Sequence, residues 1–195
     1  MTVQKKTLPL LTLRDVIIFP GTIAPIFIGR EKSLNSLLAA KKIDDGQHIL
    51  ITTQKKQDVE DPKASDLFRV GVLAKIIQTV KLPNNNAKIL VEATNRVRLT
   101  NINGEDMFIS DFVIVPDKEV TDLDTLNDTT MAAMESFKEY ARNNKKINLE
   151  ILNILSEQKN PSYITNIIAS HLTSKIEVKQ GLLEQTDIQK RAEQL

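Results

Sequence analysis

The chain has 195 residues, 41% of them hydrophobic and 26% charged, with a formal net charge of +1. This is ordinary globular composition for one large domain or two small ones, and without a concentrated basic stripe it argues against nucleic acid as a partner. Cysteine is absent, which excludes disulfides and thiolate metal sites, and neither a signal peptide nor a run of ~20 apolar residues is present, so the expectation is a cytoplasmic protein with no membrane contact.

The first elements read as β-structure with one helix. Leu8, Leu10 and Leu13 begin a strand, and Val16 to Phe19 continue an apolar run up to a Pro20-Gly21 turn signal. Ile23 to Ile28 is β-branched and aromatic, and Pro25 within it lacks a donor, which points to an edge strand or a bulge. Arg30 to Lys42 reads as a helix with a stripe of Leu34, Leu37 and Leu38, ended by Asp44-Asp45-Gly46. His48 to Thr53 is the next strand, and residues 54–66 read as a mobile surface loop.

Val70 to Val80 and Ala87 to Ala93 are β-rich runs joined by Leu82-Pro83-Asn84-Asn85-Asn86, where Asn tolerates the left-handed backbone that a hairpin needs. Arg96 to Ile102 alternates, with Arg96 and Arg98 on one face, most simply the wet side of a sheet. Asn103-Gly104 is another turn, and Phe108 to Val115 a last strand. Short strands with turns between them predict a compact barrel or sandwich-like sheet.

Composition changes at Pro116. Residues 1–116 carry 16 Lys and Arg against 12 Asp and Glu, and residues 117–195 carry 10 against 13. The second part reads as helices. Thr121 with Asp124 is a capping pair, and Leu126, Thr130, Ala133, Met134, Phe137 and Ala141 share a face. Ile147 to Leu155 is a short helix. Asn160 caps a third, with Pro161 at its first position and a stripe of Ile164, Ile167, Ile168 and Leu172. Val178, Leu182 and Leu183 mark a fourth helix. Thr186 with Gln189 opens a fifth, which has barely begun at Leu195, so the natural protein is expected to continue.

Little chemistry emerges. There is no Gly-rich phosphate loop followed by Lys and Ser or Thr. His48 and His171 are far apart and each lacks the company of further ligands that zinc needs, so both are expected to be structural. Ser156 and Lys159 have the spacing of a Ser-x-x-Lys pair without its companion motifs. Asp44-Asp45 and Glu60-Asp61 read as solvated turn charges, and Arg14 and Glu31 as ordinary surface ions. No general acid and base converge, so neither a catalytic residue nor a metal or cofactor site is expected in this chain.

Three segments carry a resemblance. They are Leu11 to Ser33, including Arg14-Asp15, Phe19-Pro20-Gly21, Pro25 and Gly29-Arg30-Glu31-Lys32-Ser33; Asp66 to Ala74; and Lys81-Leu82-Pro83 with Lys88 to Glu92 and Arg96-Val97-Arg98. In order and spacing they resemble the N-terminal domain of the bacterial Lon ATP-dependent proteases, and the helical tail is similar to that family's C-terminal subdomain. Two departures stand out. The family's usual Asp-Gly hairpin is Asn84-Asn85-Asn86 here, which implies an altered loop on the same fold. Ala93 stands where the family usually has Gly, which argues against a positive φ there.

The resemblance implies an α+β fold: a small twisted β-sheet or pseudo-barrel with one helix (PUA-like) over 1–116, then a helical bundle over 117–195, cut before a long helix. In the family an AAA+ module that uses ATP and magnesium and a Ser-Lys protease follow. The N-terminal domain captures unfolded or degron-bearing substrates and supports hexamer assembly. The implied role is therefore non-catalytic substrate recognition. A stand-alone adaptor is the alternative, and an RNA-binding β module a more distant one. The candidate binding residues are the apolar positions beside turn formers, Phe19, Pro20, Leu82 and Pro83, as a weak site made multivalent by the hexamer. The competing reading places Phe19 in the core and leaves the prolines to shape turns.

Overall fold

The structure is a computed structural model that describes residues 6–43 and 48–195, so the expected stop at Asp44-Asp45-Gly46 lies outside the described residues. The chain divides into two compact units, residues 1–115 and 116–195.

The first unit is built on six strands: β1 (Lys6–Leu13), β2 (Ile23–Ile28), β3 (His48–Thr53), β4 (Val70–Lys81), β5 (Ala87–Asn103) and β6 (Phe108–Ile114). Their order is β2-β5-β4-β3-β1-β6, and β6 pairs back onto β5. Five strands thus close into a barrel, while β2 is appended to β5 outside the ring. Among the described residues β1 and β3 run parallel and the other pairs are antiparallel.

The two expected strands Ala87–Ala93 and Arg96–Ile102 are one strand, β5. Seventeen residues stay in one strand because it bends at irregularities in its ladders. Thr94 is extra between the pairs Leu73↔Asn95 and Ala74↔Ala93, and its Oγ1 donates to the Leu73 carbonyl at 3.1 Å. A second irregularity against β6 falls between Leu99 and Ile102. These bends let one strand serve β2, β4 and β6. The expected wet face is corrected separately: Arg96 is buried at 4% exposure whereas Arg98 is exposed, although the β4–β5 ladder is regular between them.

The barrel interior holds Leu8, Leu10, Leu50, Val97, Leu99 and Phe108. Gly71 is required where β4 crosses β3, because a Cβ there would lie 2.2 Å from the Ile51 carbonyl oxygen. β1 stops at Leu13, and the apolar run beyond it lies outside regular structure with Ile17, Ile18 and Phe19 buried. The turn after it has the pattern of a type II turn. Thr22 N–H donates to the Phe19 carbonyl at 3.2 Å, Pro20 precedes, and Gly21 supplies φ +85°.

Helix α1 (Glu31–Ala40) lacks Arg30 at the start and Lys41 and Lys42 at the end of the expected span. Its expected leucine stripe is corrected: Leu37 is buried, but Leu38 is 58% exposed, and the inward face is Ser33, Ser36, Leu37 and Ala40. Small residues suit a helix lying close on strands, and Ser36 Oγ donates to the Leu10 carbonyl at 3.0 Å. Residues 54–66 form a largely exposed loop, as expected, with contacts that anchor it. The Gln54 amide is buried and donates to the Lys56 and Val59 carbonyls at 2.6 and 2.9 Å, Pro62 is buried, and a 3-10 turn forms at Ala64–Asp66.

The second unit contains α2 (Leu123–Asn143), α3 (Glu150–Ser156), α4 (Pro161–His171), α5 (Ile176–Glu184) and α6 (Ile188–Glu193). Its core gathers Ala133, Phe137, Ala141, Leu155, Ile164 and Ile168. Asn160 caps α4 as expected, its Oδ1 accepting from Ser162 N–H at 3.0 Å, with Pro161 in the first turn. Two other caps differ from expectation. Asp122, not Thr121, opens α2 and accepts from the Thr125 N–H at 3.0 Å. Asp187, not Thr186, opens α6 and accepts from Lys190 N–H at 3.2 Å. In both, a carboxylate one residue on is the better acceptor, and it also faces the positive end of the helix. In α5 Leu182 and Leu183 are buried as expected, but Val178 is 53% exposed and Ile176 is buried in its place.

Candidate functional site: the outer face and edge of β2

Strand β2 reads Ile-Ala-Pro-Ile-Phe-Ile, so it is apolar on both faces. An antiparallel sheet with one solvated face normally alternates apolar and polar side chains. Here Ile26 and Ile28 face inward and are buried, while Phe27 is 70% exposed and Ile23 62% exposed. Register extends this outer face across neighbouring strands. Phe27 pairs with Lys88 and Lys88 with Val80; Pro25 pairs with Leu90 and Leu90 with Gln78; Ile23 pairs with Glu92 and Glu92 with Lys75. Val80 is 42% exposed, and Ile77, displaced where the β4 ladder is irregular, is 48% exposed. The Lys88 ammonium lies 5.1 Å from the Phe27 ring centroid, covering part of the patch with a cation–π contact. The result is a strip of outer face on which exposed Ile23, Pro25, Phe27 and Val80 stand among Lys88, Glu92 and Lys75. An exposed cluster of this kind marks a binding surface more often than scattered single residues do.

The expected site residues fall at the two ends of this strip and do not meet. Gly21 N–H donates to the Ala93 carbonyl at 2.8 Å, which fixes the Pro20 turn at one end of the β2–β5 ladder. Asn86 lies against Gly29, which fixes the Leu82-Pro83 hairpin at the other. At ~3.4 Å per residue, the ladder separates the turns by about 20 Å. Pro20 and Leu82 are half-buried and Pro83 is exposed. Phe19 is a correction: it is 0% exposed, part of the core and out of reach of a ligand. Its place follows from its size, since a phenyl ring buries 150–250 Å² of surface and the turn behind it points it inward. The residues between these turns, Ile23, Phe27 and Val80, were not singled out in the sequence. The signal for them was the second apolar face of β2.

Pro25 sits as expected on an edge strand, since β2 pairs only with β5 among the described residues. Along that edge lies a groove of about 620 Å³ bordered by Leu11 to Val16, Ala24 to Arg30 and Ser33. The Arg30 guanidinium donates to Gln54 Oε1 and to the Thr12 carbonyl, both at 2.9 Å. Burial, and then the neighbouring positive charge of Arg14, lower the Arg30 pKa below its usual value, with Asp61 opposing. Asp61 itself pairs with Lys32 at 2.7 Å.

Other sequence candidates find local roles. His171 Nδ1 lies 2.9 Å from both Ser170 Oγ and the Ile167 carbonyl, and its ring meets Phe137 edge-on at 6.3 Å. Ser156 Oγ donates to the Asn153 carbonyl at 2.7 Å, a helix-end contact. Among the described residues no three His, Cys, Asp or Glu side chains gather to hold a metal, and no helix is long and apolar enough to cross a membrane.

Comparison with known proteins decides the family. Residues 7–195 match the model of the ATP-dependent protease La (LON) substrate-binding domain. The chain belongs to that family. Lon proteases of Rickettsia conorii and Rickettsia bellii are each 47% identical to it over 194 residues, and that of Haemophilus influenzae is 36% identical over 191. Those matches take in 96% or more of this chain, which spans about a quarter of the length of these curated relatives: 25%, 25% and 24%. The fold is that of solved Lon N-terminal domains. One from the Mycobacterium avium complex has a TM-score of 0.77 at 21% identity, covering 96% of this chain and 95% of its own. One from Xanthomonas campestris has 0.66 at 14%, covering 97% and 96%. The α+β class expected of a Lon-type domain is the one observed.

Proposed function

We propose that this chain is the non-catalytic substrate-capture and assembly module of a Lon-type ATP-dependent serine protease, and that it holds unfolded or degron-bearing protein segments on the outer face of β2, β5 and β4. The parent is a cytoplasmic hexamer whose ATP, magnesium and protease chemistry reside outside this domain. The observation that carries the reading is the exposure of Ile23, Phe27 and Val80 on one register-defined strip. Unfolded proteins display short apolar segments, and a strip of this size gives each one a weak foothold. Six copies in a ring multiply weak footholds through effective concentration. Pro20, Leu82 and Pro83 flank the strip and serve as its rims.

The test is binding of the 195-residue chain to a reduced, alkylated unfolded protein and to its native form, at low and high salt. The reading expects preference for the unfolded form, insensitive to salt. It also expects at least tenfold weaker binding by the double variant Ile23→Ser with Val80→Ser, with an unchanged melting temperature. Equal binding by that variant moves capture elsewhere. Binding that collapses with salt favours a polyanion instead.

A further inference from the structure

The groove beside β2 has the form of a vacant strand position. It is bordered by consecutive residues, Ala24 to Gly29 on one wall and Leu11 to Val16 on the other. Alternate residues would line a sheet face; consecutive ones line a backbone edge. β2 offers a strand edge along one wall, and β1 offers one from Leu11 to Leu13 on the other, beyond which Arg14 to Val16 continue the wall as irregular chain. β2 pairs only with β5 among the described residues. β6 accompanies β1 only from Lys6 to Leu10, after which the Arg30 guanidinium takes the Thr12 carbonyl. Leu11, Leu13, Ile18 and Ile26 make the slot apolar.

The charge in the slot is specific. Arg30 reaches across to Thr12, two residues before Arg14, so both cations stand at the β1 wall. Arg30 is held in place by Gln54 and Thr12. Arg14 is exposed and has no hydrogen bond or ion pair to a described residue. Asp15 shares the lining, leaving it net positive by one. Two guanidiniums repel each other and together attract a carboxylate, which arginine accepts in a forked geometry. Beyond Arg30 the surface carries Glu31 and the Lys32–Asp61 pair, which do not favour continuation of an acidic chain.

We infer that the slot is a docking site for the C-terminal end of a substrate polypeptide, which adds to β2 as an extended apolar strand and places its free carboxylate between Arg14 and Arg30. Strand addition supplies main-chain hydrogen bonds, and capture of the terminal carboxylate supplies direction. The inference rests on the substrate-capture reading and narrows it to one class of segment.

The experiment measures fluorescence anisotropy of the 195-residue chain with labelled heptapeptides. One is Ser-Thr-Val-Thr-Val-Leu-Phe as the free acid, the second is its C-terminal amide, and the third is an amide with an internal Glu. The free acid is expected to bind at least tenfold more tightly than either amide. Arg14→Glu, an exposed change, is expected to abolish that preference. Equal affinity of acid and amide, no binding of either, or indifference to Arg14→Glu overturns the inference. Equal binding by the internal-Glu amide overturns the chain-end requirement. The Ile23→Ser, Val80→Ser variant separates the two proposals, because it removes unfolded-protein capture by the strip while leaving the acid-over-amide preference intact.

Discussion

Arg191 and Asp117, separated by 74 positions in the chain, form a forked ion pair: Nη1 donates to Oδ1 at 3.0 Å and Nη2 to Oδ2 at 3.2 Å. The arginine is fully buried, and the aspartate side chain is 18% exposed. The remaining donors are also used. Nε donates to Thr165 Oγ1 at 3.0 Å, and Nη1 also donates to the Gln185 carbonyl at 2.7 Å. Ser162 joins by donating to Asp117 and accepting from Arg191. One guanidinium thus ties the chain just after Pro116 to α4 and α6.

Breaking this pair from one side leaves a buried charge uncompensated. Asp117→Ala is expected to lower the stability of the second unit by about 3–5 kcal/mol. Arg191→Met, which removes the buried charge and keeps an apolar stem, is expected to cost less. Urea unfolding of the two variants followed by far-ultraviolet circular dichroism checks the order, and an equal loss from both refutes it.

Phe19→Ala is expected to cost about 3–5 kcal/mol, because it empties a fully buried site. A cooperative melt near the wild-type temperature would return Phe19 to the candidate binding surface.

The hairpin between β4 and β5 holds Asn84 at φ +57° and Asn85 at φ +58°. Positive φ at both central positions is the type I′ pattern that suits a twisted antiparallel pair. Asn85→Ala is expected to lower stability by roughly 1–2 kcal/mol, and Asn85→Gly to be neutral or slightly stabilising. Paired chemical-denaturation curves measure the difference. The same loss for Ala and Gly would rule out a backbone origin.

The Asp122 carboxyl titrates below its ordinary value, first because the Thr125 hydroxyl donates to it at 2.6 Å and then because the Thr125 N–H does. A depressed folded-state pKa stabilises the folded form above the ordinary carboxylate pKa. That contribution is lost as pH falls through the lowered value. NMR titration of the Asp122 carboxyl carbon is expected to show the low pKa in wild type and a rise toward the ordinary value in Thr125→Val. An unchanged midpoint in that variant would remove Thr125 as the cause.

Local instructions were legible in the chain itself. Pro20-Gly21 announces a turn, Pro25 an edge strand, Asn84-Asn85-Asn86 a hairpin, and Asn160-Pro161 a helix start, because each depends on backbone preferences of the residues concerned. The three motif segments likewise carried the Lon-type fold. Partnerships across long separations were not legible. The union of two apparent strands in β5 depends on an unpaired residue at Thr94, whose place is set by register against β4. The burial of Phe19 and the exposure of Phe27 are opposite fates for the same side chain, eight positions apart. Composition gives both the same drive to leave water. Barrel closure decides which one has a core to enter, since β2 lies outside the ring and its second apolar face is left exposed at Ile23 and Phe27.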